Sequence, residues 1–142
     1  MEKSKNDVWV GLFVLIGAAA LAIDLAYVHV VRSEMQNDAD AAALGGAHEL
    51  VDTATGVLHW SDAAARAQQT VSLNRAAGAT MTDASVQTGY WNLKGSPALL
   101  QSLPMTPTAW DAPAVAVTLR KQDGQNLGPV RTFFARFWQV MG

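Results

Sequence analysis

Apolar residues along the chain form one unbroken run and elsewhere recur with two different periods, and each pattern predicts a different element. No ionisable side chain occurs over residues 8–23, and the apolar character resumes after Asp24 through residue 31. At 1.5 Å per residue, a helix over 8–27 covers roughly 30 Å, the thickness of a hydrocarbon core. Residues 31–44 contain neither proline nor glycine, and the alanines at 39, 41, 42 and 43 favour helix, so the span is expected to continue into a stalk. On that stalk Met35, Ala39, Ala42, Gly46 and Leu50 share a small-residue face, with Glu34, Asp38 and Asp40 expected elsewhere. Gly45-Gly46 is expected to weaken the last turns, and residues 52–56 read as a turn.

Beyond the turn, Ser61-Asp62 reads as the start of a second helix. It runs to Ala77 through Ala64, Ala67, Val71 and Leu73, with Gly78 as the C′ residue. The period then changes to two. Ala84, Val86, Thr88 and Tyr90 alternate with Ser85, Gln87 and Gly89, which predicts a half-buried strand. Val115, Val117 and Leu119 repeat that pattern before the Asp123-Gly124 turn signal. Between these strands, Pro97, Pro104, Pro107 and Trp110 interrupt the chain, and an irregular loop is expected. Phe133, Phe134, Phe137, Trp138 and Met141 form an apolar stripe at helical spacing. The predicted class is α+β: a long N-terminal transmembrane and stalk helix, a second helix, a small antiparallel sheet and a C-terminal amphipathic helix.

Composition narrows the functional classes. The chain has 142 residues, a net charge of -2 and no basic run of the kind that tracks phosphates, so nucleic acid is not an expected partner. The absence of cysteine removes disulfides, thiolate metal sites and thiol nucleophiles together. Much of the 50% hydrophobic content is alanine, which favours close helix approach over large buried area. Lys3 and Lys5 precede the span and favour a cytoplasmic N-terminus, diluted by Glu2 and Asp7 and opposed by Arg32. Trp9 and Tyr27 suit the two bilayer interfaces. The competing reading is a cleavable signal peptide ending near Ala22, since Ala20-Leu21-Ala22 has small residues at the required spacing. That reading gives a released ligand-binding or protein-binding module, contacting its ligand through the Trp110 loop and the aromatic C-terminus. The prepilin pattern is absent: Ile16 and Ala22 stand five residues after Gly11 and Gly17, where glutamate is required.

Within the span, Ala18, Ala22 and Ala26 lie along one ridge, where small residues let helix backbones approach in lipid. Asp24 is costly there and calls for a partner, water or a proton; a neighbouring subunit is the functional candidate. No constellation for catalysis emerges. His48-Glu49 opens like a zinc-protease motif, but Asp52 stands where the second histidine belongs. His48, Asp52 and His59 are scattered without ligand spacing, no phosphate loop or nucleophile elbow occurs, and His29 and Asp24 face different ways on a helix. Neither a cofactor, a metal nor a small-molecule substrate is expected.

The stretch from Ala20 to Tyr27, Ala-Leu-Ala-Ile-Asp-Leu-Ala-Tyr, followed by Arg32-Ser-Glu-Met-Gln-Asn-Asp-Ala-Asp-Ala-Ala-Ala-Leu-Gly-Gly-Ala47, resembles the N-terminal signature of TadG-like proteins of the Tad (tight adherence, Flp) pilus system. In that signature an apolar helix leads to a Val-Asp pair, an aromatic residue, an arginine, Gln-Asn and an alanine-rich run. Here Asp24, Tyr27, Arg32, Gln36, Asn37, Asp40 and Ala41 to Ala43 occupy those places. Ala114-Val-Ala-Val-Thr-Leu-Arg120 is similar to a strand of the family, and Phe133-Phe-Ala-Arg-Phe137 to its Phe-Ala-Arg helix.

The resemblance implies a non-enzymatic, single-pass protein of a bacterial inner membrane, with a cytoplasmic N-terminus and its bulk on the periplasmic or extracellular side. Implied partners are the lipid bilayer and subunits of a pilus or assembly machine, further copies of the chain among them. The expected organisation is a cytoplasmic segment 1–7, a transmembrane helix 8–31, a stalk and turn 32–58 and an α+β domain 59–142. In the family another alanine- and valine-rich strand usually follows the Phe-Ala-Arg helix, whereas this sequence stops at Gly142. The expectation is a sheet that a partner strand completes by edge addition.

Overall fold

A computed structural model describes residues 5–134 of the chain. Helix α1 spans Lys5–Leu50 and α2 spans Trp60–Val71. The strands are β1 Arg75–Ala76, β2 Ala79–Thr80, β3 Ala84–Asn92, β4 Gln101–Ser102 and β5 Asp111–Leu119. The α+β class is as expected. Phe133 and Phe134 are helical, while Phe137, Trp138 and Met141 of the expected C-terminal helix lie outside the described residues. Packing divides the chain into two units, one holding residues up to Ser33 together with those from Val130, the other Glu34–Pro129.

In the first unit, α1 carries apolar side chains on all sides and leaves them uncovered. Phe13 is 75% exposed and Ile23 64%, and Val8, Trp9, Val10, Val14, Leu15, Ile16, Leu21 and Leu25 are exposed as well. A helix in water hides such side chains along one stripe, whereas one that is apolar all round belongs in a core or a membrane. Among the described residues, this is the one helix long and apolar enough to cross a bilayer.

The second unit is built on small residues. Ala42, Gly46 and Leu50 are buried at intervals of one turn along the end of α1. Ala42 joins Val71, Ala76 and Met81 in a core to which Met35, Ala79, Ala84, Val117 and Leu119 add partly buried surface. The helix runs on through the glycine pair to Leu50. A Cβ on Gly46 would lie 2.8 Å from the Ala63 carbonyl oxygen, 3.0 Å from the Ala67 Cβ and 3.1 Å from the Val115 Cγ1, so glycine is what lets α1 approach α2 and the sheet. Asp38, expected away from the packing face, is 2% exposed on it.

Helix α2 stops six residues short of its expected end at Ala77. The Ser72 hydroxyl donates to the Gln69 carbonyl at 2.7 Å, and the Asn74 carboxamide donates to that of Thr70 at 3.5 Å, so local side chains satisfy the last-turn carbonyls. Gly78 is therefore no helix C′ residue. With Ala77 at φ 54° and Gly78 at φ 73°, the two form the left-handed pair of a two-residue hairpin turn joining β1 to β2.

Strands β3 and β5 pair antiparallel over nine positions, from Ala84↔Leu119 to Asn92↔Asp111. Exposure alternates along β3 as its period of two predicts. The loop expected to be irregular contains β4, which pairs Gly89↔Ser102 and Tyr90↔Gln101 and gives the sheet order β4-β3-β5. Gly89 makes that pairing fit, because a side chain there would run into the Gln101 carbonyl.

Candidate interaction site

In the first unit one polar side chain is withdrawn from the surface. Asp24 is 7% exposed, and its two carboxylate oxygens accept the backbone N–H groups of Phe133 and Phe134, each at 2.7 Å. Leu21, Leu25, Val28, Thr132 and Phe134 line a shallow, mainly apolar depression around it. Ala18, Ala22 and Ala26 are exposed along α1, as is Tyr27. Arg32, Gln36, Asn37 and Asp40 are exposed on the same helix, where the Gln36 carboxamide donates to Asp40 at 3.0 Å, an i,i+4 pair. The structure therefore brings together Gln36 and Asp40, and gives Asp24 backbone partners more than a hundred residues away in sequence.

The second unit contains three polar clusters. Asp38 accepts from the Asn74 carboxamide at 3.0 Å, while its other oxygen is buried with no hydrogen-bond partner among the described residues. Burial pushes its pKa up, against a smaller lowering by Asn74. Close by, Glu34 accepts the backbone N–H of Ala77 at 2.8 Å, which ties α1 to the β1–β2 turn.

Asn126, 2% exposed and at φ 47°, joins the segment before β3 to the one after β5. Its carboxamide oxygen accepts the N–H groups of Thr82 and Asp83 at 2.9 Å, and its nitrogen donates to the Asp83 and Arg120 carbonyls at 2.8 Å.

At the other end of the sheet, Asp111 collects the Thr108 hydroxyl at 2.6 Å, the Thr108 N–H at 2.8 Å, and the Gln101 and Asn92 carboxamides at 2.9 Å. These donors, the Thr108 hydroxyl first, hold its carboxyl well below the usual carboxylate range. Beside it the Lys94 ammonium sits 3.9 Å from the centre of the Trp110 ring. Sequence reading assigns no role to Asn126 or Asp111. The local signals are the Gln125-Asn126 turn after a strand and a Thr-x-x-Asp spacing, both common in loops.

His48, Asp52, His59 and Asp62 line one open depression, but their side chains bond to near neighbours in the sequence. His48 lies 3.6 Å from Glu49, His59 lies 3.5 Å from Asp62, and Asp52 accepts the N–H groups of Ala54 and Thr55 in its own turn. Among the described residues no group of three or more histidine and acidic side chains is placed to hold a metal ion.

Two family models match. Residues 45–141 fit one described as Tad-like Flp pilus-assembly, and residues 8–49 fit one described as Flp pilus-assembly TadE/G-like. No curated protein and no solved structure matches the chain.

Proposed function

The chain belongs to the Tad-like, TadE/G-like Flp pilus-assembly family, and from that premise we propose that it is a non-enzymatic, single-pass component of a Tad-type pilus machine. In this reading residues 1–7 are cytoplasmic, residues 8–31 cross the inner membrane, and the stalk from residue 32 with the folded unit Glu34–Pro129 lies outside. The observation that carries it is the ring of exposed apolar side chains on α1, from Val8 to Val30, which only lipid or a partner helix would cover at low cost.

Recognition follows from the same helix. The Ala18, Ala22 and Ala26 ridge admits close approach by the span of another subunit or a second copy of this chain. Exposed Tyr27 offers a hydroxyl near the outer end of the span, and exposed Arg32, Gln36, Asn37 and Asp40 offer hydrogen-bonding groups on the stalk. No small molecule or nucleic acid is required, and the work is assembly rather than turnover.

The test is co-purification of neighbouring pilus-machine subunits with the full chain after membrane solubilisation. Replacing Ala22 and Ala26 by leucine places bulk on the ridge and is expected to abolish recovery of the partners while membrane extraction stays unchanged. Undiminished recovery overturns the proposed packing face.

A further inference from the structure

Asp24 occurs inside the span, and its partners identify a second part of the chain at the same depth. Counting 1.5 Å per residue, Asp24 lies about 10 Å inboard of the outer end of a span that closes at residue 31. The Phe133 and Phe134 N–H groups are each 2.7 Å from its carboxylate oxygens. Wherever Asp24 sits in the bilayer, these two backbone groups sit beside it.

The pairing removes two penalties together. A carboxylate among lipid tails is costly unless it is hydrogen-bonded, and backbone N–H groups entering the hydrocarbon are costly unless they find an acceptor. Each supplies what the other lacks. The surroundings agree: Leu21, Leu25 and Val28 of α1 line the depression with Thr132 and Phe134, and the Phe133 ring is 75% exposed, pointing to no other part of the described chain. An exposed aromatic ring on a segment held at that depth meets acyl chains.

Resting on the span assigned above, we propose that the chain returns to the membrane at residues 132–134, that lipid is the partner of Phe133, and that Asp24 is the latch holding this second insertion. The protein then touches the bilayer at two places in its sequence. The folded unit Glu34–Pro129 is tethered to the membrane at both of its ends.

The absence of native cysteine makes the test direct. Single-cysteine full-length variants V14C, F133C and L73C carry an environment-sensitive NBD label, in phosphatidylcholine–phosphatidylglycerol vesicles containing doxyl lipids or bathed in iodide. Val14 reports the span, and Leu73, 74% exposed in the second unit, reports water. The expected result is an F133C label quenched by doxyl lipid and protected from iodide, like V14C and unlike L73C. Adding Asp24→Ala is expected to turn F133C into an iodide-quenched site while V14C keeps its lipid quenching.

F133C open to iodide beside a lipid-quenched V14C overturns the second insertion and leaves the anchored span standing. F133C shielded from both quenchers overturns the lipid assignment in favour of a protein neighbour. F133C still in lipid after Asp24→Ala overturns the latch, and V14C open to iodide overturns the span itself.

Discussion

Asn126 and Asp83 hold each other through three hydrogen bonds: the Asp83 N–H donates to the Asn126 carboxamide oxygen at 2.9 Å, the Asn126 carboxamide nitrogen to the Asp83 carbonyl at 2.8 Å, and the Asn126 N–H to the Asp83 carboxylate at 3.2 Å. Asp83 immediately precedes β3, and Asn126 follows β5, so the pair closes the open end of the long hairpin. Asparagine suits the place twice, because its side chain has both donor and acceptor and because it tolerates the left-handed backbone seen at φ 47°.

Asn126→Ala is therefore expected to destabilise the second unit by about 3 kcal/mol, the scale for stranding several buried backbone groups. Asn126→Asp, which keeps the acceptor and loses the two donated bonds, falls between. Urea unfolding of the detergent-solubilised full chain, followed by tryptophan fluorescence, measures both; an unchanged midpoint for Asn126→Ala contradicts the assignment.

Gly46 and Gly11 make a matched pair. A methyl group at Gly46 meets the Ala63 carbonyl at 2.8 Å, whereas nothing lies within 4 Å of one at Gly11. Alanine improves intrinsic helix propensity at both positions by about 1 kcal/mol. At Gly46, overpacking of about 1–3 kcal/mol opposes that gain. Thermal unfolding is expected to show a lowered transition for Gly46→Ala and none for Gly11→Ala.

Two carboxylates of the second unit are expected to give pH dependences of opposite sign. Burial raises the pKa of Asp38 above its ordinary 3.8, so its folded form holds a proton that the unfolded chain has already lost, and stability falls as pH rises through that window. Asp111 is lowered from 3.8 by its hydrogen bonds, so its contribution is complete above the unfolded value and is lost only as pH falls towards the folded one. Asp38→Asn is expected to stabilise the unit at neutral pH and flatten the slope above pH 3.8. Asp111→Asn loses the Thr108 donors and is expected to expose residues 101–110 to amide exchange at neutral pH. Unfolding measured from about pH 2 to pH 7 separates the two effects, the Asp111 slope lying below pH 3.8 and the Asp38 slope above it; slopes of the same sign contradict them.

What was legible in the sequence depended on how locally each element is specified. The unbroken run ahead of Leu44 makes α1 readable, and strict alternation from Ala84 to Tyr90 makes β3 readable, because a local pattern is enough for each. Strand β4 was not readable: two residues define it, and what fits it to β3 is the missing side chain of Gly89. The end of α2 was hidden for a related reason, since Ser72 and Asn74 satisfy its last turn while the apolar pattern continues beyond them. The partners of Asp38 and Asp24 are hidden for the same reason. A carboxylate reads as solvent-facing or partner-facing until its donors are known, and Asn74 lies 36 residues from Asp38 while Phe133 lies 109 from Asp24.

The register of the β3–β5 ladder determines how the second unit answers a mechanical load. The chain enters at Ala84 and leaves at Leu119, and these two residues are paired with each other. Tension applied through the flanking segments therefore peels the ladder one rung at a time instead of shearing all nine rungs together. In that geometry the Asn126–Asp83 clip stands where the peeling would begin, so the ladder's resistance starts with a few hydrogen bonds rather than with the length of the sheet.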